Sequence, residues 1–106
     1  MSDRAVADQQ TDALKVPPHS LEAERSVLGG LLLDNEAWDG VSERIVPNDF
    51  YRRDHQMIFE AMMGLAEKAQ PFDLVTISEV LDQKNELEQI GGLAYLAEVA
   101  RNTPSA

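Results

Sequence analysis

Apolar residues recur at helical spacing along most of the chain, and polar breaks divide them into short segments. From Ser20 onward, Leu21, Leu28 and Leu32 fall on one face with Leu31 alongside, which predicts a helix. Ser20 stands where an N-cap belongs, and Glu22 and Glu24 lie in the first turn, where the helix dipole favours negative charge. Val27 and Leu33 widen the stripe until the second half is apolar nearly all round, the pattern of a central helix. Gly29-Gly30 within it points to close approach by another helix, since each glycine costs about 1 kcal/mol relative to alanine there.

Asp34 or Asn35 can cap a second helix carrying Trp38, Val41 and Ile45, which Pro47 ends by pushing the residue before it out of helical geometry. Asn48 caps a third, whose stripe is Tyr51, His55, Ile58, Phe59, Met62 and Leu65. After Pro71, Asp73 caps a fourth with Leu74, Ile77, Val80 and Leu81 inward, and Asn85 supplies a left-handed stop. Leu87 to Ile90 make a short turn before Gly91-Gly92, and a last helix holds Leu93, Leu96, Val99 and Ala100. No alternation of apolar and polar residues lasts long enough for a strand. The expected fold class is all-α, a compact bundle of five or six short helices. Its structural core is expected to be Leu28, Leu32, Trp38, His55, Phe59, Met62, Leu74, Ile77, Leu81 and Leu96.

Residues 1–18 show neither period and close on Pro17-Pro18, so a disordered N-terminal tail is expected ahead of a helical globular head over residues 19–103. A length of 106 residues supports one domain. Nine Lys and Arg against 19 Asp and Glu give a net charge of −10, and neither half of the chain is basic. Phosphate backbones are bound by Lys and Arg, so direct DNA binding is not expected. Cysteine is absent, which excludes disulfides, thiolate ligands and a cysteine nucleophile. The sequence shows no span or signal-peptide pattern, and a cytoplasmic protein without membrane contact is expected.

Candidate chemistry is sparse. His55 sits on the apolar face between Tyr51 and Phe59 and reads as a core histidine bonded to backbone or a carboxylate. A metal site needs three or four ligands, and the other histidine, His19, lies beside Pro18. Arg52 stands where a di-iron Glu-x-x-His motif needs Glu. No serine lies in a Gly-x-Ser-x-Gly setting, and no Gly-x-x-x-x-Gly-Lys phosphate loop is present. The expectation is no catalytic, cofactor-binding or metal residue. Tyr95 at the margin of the last stripe, with Leu87 and Ile90 on the preceding turn, makes a candidate interaction surface.

The run from Pro17 to Leu33, Pro-Pro-His-Ser-Leu-Glu-Ala-Glu-Arg-Ser-Val-Leu-Gly-Gly-Leu-Leu-Leu, resembles the opening of the bacterial replicative DNA helicase family, DnaB. The likeness continues through Asp49-Phe50-Tyr51, His55-Gln-Met-Ile-Phe59, Gln70-Pro-Phe-Asp-Leu-Val-Thr76, Gly91-Gly-Leu-Ala-Tyr-Leu96 and Asn102-Thr-Pro-Ser105. The ordered series spans residues 17–105 and is specific.

The resemblance implies a non-catalytic N-terminal head from a hexameric, ATP-dependent helicase. Residues 104–106 would be the truncated start of a linker or helical hairpin, and the motor that uses ATP and Mg would lie outside this chain. In the family, head and hairpin form a collar, a trimer of dimers, that docks primase and helps organise helicase loaders. The isolated head is then expected to be a monomer or weak dimer, because the hairpin supplies much of the collar contact. A stand-alone acidic helical adaptor or regulator is the alternative.

Overall fold

The computed structural model of the chain describes residues 20–101; the expected tail, His19 and the expected linker start lie outside them. Among these described residues there are five α-helices: α1 (Leu21–Leu33), α2 (Trp38–Ser42), α3 (Arg53–Glu67), α4 (Leu74–Gln83) and α5 (Gly92–Arg101). Short 3-10 turns at Asn35–Ala37 and Pro47–Asp49 precede α2 and α3. There is no strand among the described residues, so the all-α expectation holds.

The central element is α3, which buries His55, Met57, Ile58, Phe59, Ala61, Met62 and Leu65. It packs on α1 and α4, while α5 packs on both α1 and α4 and closes the bundle. The predicted stripe is right within the helix and wrong at its start. The turn at Pro47–Asp49 delays the helix to Arg53, so Asn48 is not its cap and Tyr51 lies outside it, 61% exposed. Asp49 instead turns its carboxylate back to accept the Val46 N–H at 2.9 Å.

Burial on α1 is one-sided. Leu28, Gly29 and Leu31 are buried and Leu32 is half-buried, but Leu33 is 76% exposed. Gly29 is buried, whereas a side chain added at Gly30 would meet nothing within 4 Å among the described residues. Ser20 precedes the helix without a side-chain capping bond. The second predicted helix is shorter than its pattern: α2 ends at Ser42, and Ile45 packs against the core from the turn beyond.

The predicted start and stop of α4 are both built as read. Asp73 Oδ1 accepts the Thr76 N–H at 2.8 Å while Thr76 Oγ1 accepts the Asp73 N–H at 2.9 Å, a reciprocal cap on α4. Asn85 adopts φ of 60°, with its N–H bonded to Asp82 O and the Glu86 N–H to Leu81 O. That is a Schellman ending. The same bond pattern ends α3, where the left-handed residue is Ala69 at φ of 56°, unpredicted because alanine is not the residue such a position favours. Along α5, Leu96 and Val99 are buried but Leu93 is 54% exposed, so the inward stripe starts one turn later than expected.

Of the ten residues expected in the core, Leu28, His55, Phe59, Met62, Ile77, Leu81 and Leu96 are buried. Leu32, Trp38 and Leu74 are half-buried against that core.

Candidate functional site

The two ends of α3 meet their neighbours in different ways. At its start, His55 is 0% exposed yet fully hydrogen-bonded. Its Nδ1 lies 2.6 Å from Glu24 Oε1 on α1, and its Nε2 lies 2.6 Å from the Tyr95 hydroxyl on α5. A carboxylate only accepts, so Nδ1–H donates to Glu24, and Nε2 pairs with the Tyr95 hydroxyl, which can donate or accept. The other Glu24 oxygen accepts the Tyr51 N–H at 2.5 Å. One carboxylate and one imidazole thereby join three helices and the turn before α3.

Charge surrounds this junction. Arg52 grips Asp54 through two hydrogen bonds, one of them from Nε at 2.9 Å, and its guanidinium lies 5.7 Å from the centre of the Tyr95 ring. The Asp54 carboxylate raises the Arg52 pKa, chiefly by accepting these bonds. Burial raises the Tyr95 pKa, with Asp54 adding to the rise and Arg52 and Arg25 opposing it. The His55 and Tyr95 rings stack at 14° with centroids 5.9 Å apart. This trio resembles an acid–base relay in composition, but a ring with no exposed surface reaches no substrate. It is a structural junction, and no group of metal-ligating residues occurs among the described residues.

The other end of α3 is aromatic and open. Trp38 packs 5.0 Å from Phe59 and 5.3 Å edge-on from Phe72, centroid to centroid. Asn35 pins the following loop: its Oδ1 accepts the Phe72 N–H at 2.7 Å, and its Nδ2 donates to Leu31 O at 2.8 Å and to Phe72 O at 3.3 Å. A groove of about 360 Å³ remains between the loop and α2, with Trp38, Phe72, Ala66 and Pro71 on its walls and Glu36 and Asp39 at its rim.

The three residues expected at an interaction surface differ in exposure. Ile90 is 2% exposed, and Leu87 and Tyr95 are half-buried against the core. The turn folds inward beneath α5, and the Tyr95 hydroxyl is bonded to His55. Sequence reading missed Glu24 as the partner of His55 and Asn35 as the loop's anchor. Each acts across more than 30 residues, where helical spacing gives no signal.

Residues 16–106 match the family model described as DnaB-like helicase N terminal domain. The chain is similar to the replicative DNA helicase DnaB of Buchnera aphidicola subsp. Schizaphis graminum, 56% identical over 96 residues that cover 91% of this chain and 21% of that one. Against the Haemophilus influenzae DnaB the identity is 44% over 100 residues, covering 94% of this chain and 21% of the relative. The chain thus spans about a fifth of the length of these curated relatives. Its fold is similar to the crystal structure of the N-terminal domain of DnaB helicase from Mycobacterium tuberculosis. The TM-score is 0.80 at 43% identity, covering 84% of this chain and 64% of that one.

Proposed function

The chain belongs to the family of DnaB-like helicase N-terminal domains, and from that premise we propose that it acts as the non-catalytic collar module of a hexameric, ATP-dependent replicative helicase. In this role it organises the oligomer and docks primase and helicase loaders during DNA replication. The observation that carries the reading is the likeness to a solved DnaB N-terminal domain at 43% identity and a TM-score of 0.80. The site chemistry supports it. The one buried polar cluster described here is closed to substrates, and a net charge of −10 suits protein partners better than a nucleic-acid backbone.

On this reading the isolated chain neither hydrolyses ATP nor unwinds DNA, and binds no cofactor. DNA-stimulated ATP hydrolysis by the pure chain, abolished by a substitution within it, would overturn the proposal. The chain alone is a monomer at micromolar concentration with at most weak self-association, since like charges repel at low salt. Sedimentation across a concentration series reads this, and a tight dimer or hexamer at low micromolar protein would show that the head by itself drives ring assembly. In a full-length helicase carrying this sequence, removal of residues 20–101 leaves the motor's ATP hydrolysis and abolishes primase stimulation.

A further inference from the structure

The groove at the end of α3 is walled by aromatic and apolar side chains with two acidic residues beside them. Its walls are Trp38, Phe72, Ala66 and Pro71, and no lysine or arginine lines it. The Glu36 and Asp39 side chains at the rim are exposed, and neither carboxylate has a hydrogen-bond or ion-pair partner among the described residues. At the opposite end of α3 Arg52 is held by Asp54 and Arg53 reaches Gln56 at 3.4 Å, while the buried Nε of Arg25 has no hydrogen-bond partner among the described residues. The groove therefore offers apolar and aromatic surface beside two exposed carboxylates.

We infer that this groove docks a lysine- or arginine-bearing segment of a partner protein, with the aliphatic stem of the cation over Trp38 and Phe72 and its charged head at Glu36 and Asp39. Long basic side chains combine these two needs, laying methylenes along apolar surface while the head stays polar. An indole face adds attraction for the cation. The groove needs no rearrangement to receive such a segment. Asn35 ties the loop to the end of α1 by three hydrogen bonds, and a preformed site loses less ordering entropy on binding. The net charge of −10 draws a basic partner in and speeds encounter. The inference deepens the proposed docking role and rests on it only for which protein supplies the segment.

Trp38 is the sole tryptophan, so its fluorescence reads the groove directly. The chain is titrated with a short amphipathic lysine-leucine peptide, and with the same peptide carrying glutamine for every lysine. The double variant Glu36→Gln, Asp39→Asn is compared with a charge-matched control, Glu79→Gln, Asp82→Asn, on exposed positions of α4. The expected result is a saturable shift in Trp38 emission with the lysine peptide only. Its affinity falls on the order of tenfold in the groove variant and less than about twofold in the control. Equal weakening in both variants would reduce the effect to diffuse charge and overturn the inference, as would binding without a change at Trp38. In a full-length helicase, a groove variant that keeps primase and loader binding sinks the groove and leaves the collar reading standing. Primase and loader binding that survives removal of residues 20–101 sinks the collar reading, while the peptide titration still decides the groove.

Discussion

The first turn of α3 and its last turn solve one problem in opposite ways. Both must fill the space between α3 and the elements packed against it. At the first turn the filling is polar: His55 sits between Glu24 and Tyr95, and both ring nitrogens are bonded. At the last turn it is aromatic, with Trp38 and Phe72 set against each other, and a groove is left open. A polar junction inside a protein is stable only when complete, because a buried donor or acceptor without a partner costs about 1–3 kcal/mol. Aromatic packing carries no such condition and tolerates an open edge. The polar junction is therefore closed on itself, while the aromatic end keeps an open edge.

Phe59 links the two regions, with ring centroids 5.0 Å from Trp38 and 5.2 Å from Phe50, and Phe50 in turn lies edge-on to His55. Phe59→Ala should break both at once and destabilise by about 3–5 kcal/mol. A loss of that size approaches the whole folding free energy of a domain this small. Urea unfolding followed by Trp38 fluorescence measures it. A melting temperature within a degree or two of the parent would show that the regions do not share this ring.

His55→Leu separates them instead. It keeps a side chain of apolar character in place but leaves the Tyr95 hydroxyl and one Glu24 oxygen unpaired, so a loss of about 2–3 kcal/mol is expected. Tyr95→Phe removes only one hydroxyl and should cost about 1 kcal/mol. The two changes share one bond, so in combination their effects should fall short of additive. Emission of folded Trp38 should stay put in all three variants. A shift there would mean that the junction and the groove are coupled.

What could be read from the sequence follows the range of each interaction. The α4 cap from Asp73 to Thr76 and the Asn85 stop are local, and both were legible. The stripe from His55 to Leu65 was legible because each member lies three or four residues from the next. Periodicity names a face without saying where it stops, which is why Tyr51 and Leu93 fit the inward stripes and lie exposed, and Leu33, which made the end of α1 look apolar all round, lies exposed too. Trp38 was expected in the core. Its role as a groove wall depends on where the loop ending in Phe72 returns, and Asn35 sets that from 37 residues away. The family resemblance was carried by ordered segments whose spacing survives even where single burial assignments fail.

A smaller effect tests the junction's electrostatics. Burial holds the Tyr95 proton in the folded chain to higher pH than in the unfolded one. Its contribution is then fully present below about pH 10 and is lost as pH rises through the folded value. Stability should decline more steeply above that pH in the parent than in Tyr95→Phe, measured as urea midpoints across an alkaline series. Parallel curves would show that Tyr95 ionises as readily folded as unfolded.

The smallest effect belongs to the groove. Ala69 ends α3 in the left-handed region, which costs an L-residue roughly 1–2 kcal/mol, while Asn85 does the same for α4 with a residue that tolerates it. Ala69→Gly relieves that cost but adds the entropy of a freer unfolded chain, worth roughly 0.5–1 kcal/mol in the other direction. The net gain should be about 0.5 kcal/mol, a rise in melting temperature of about 2–4 °C for a domain of this size. Asn85→Gly should gain less, since less strain is present to remove. Equal gains at both sites would show that the turn beside the groove stores no more strain than the turn after α4. The two endings, alike in hydrogen bonding, would then be alike in energy too.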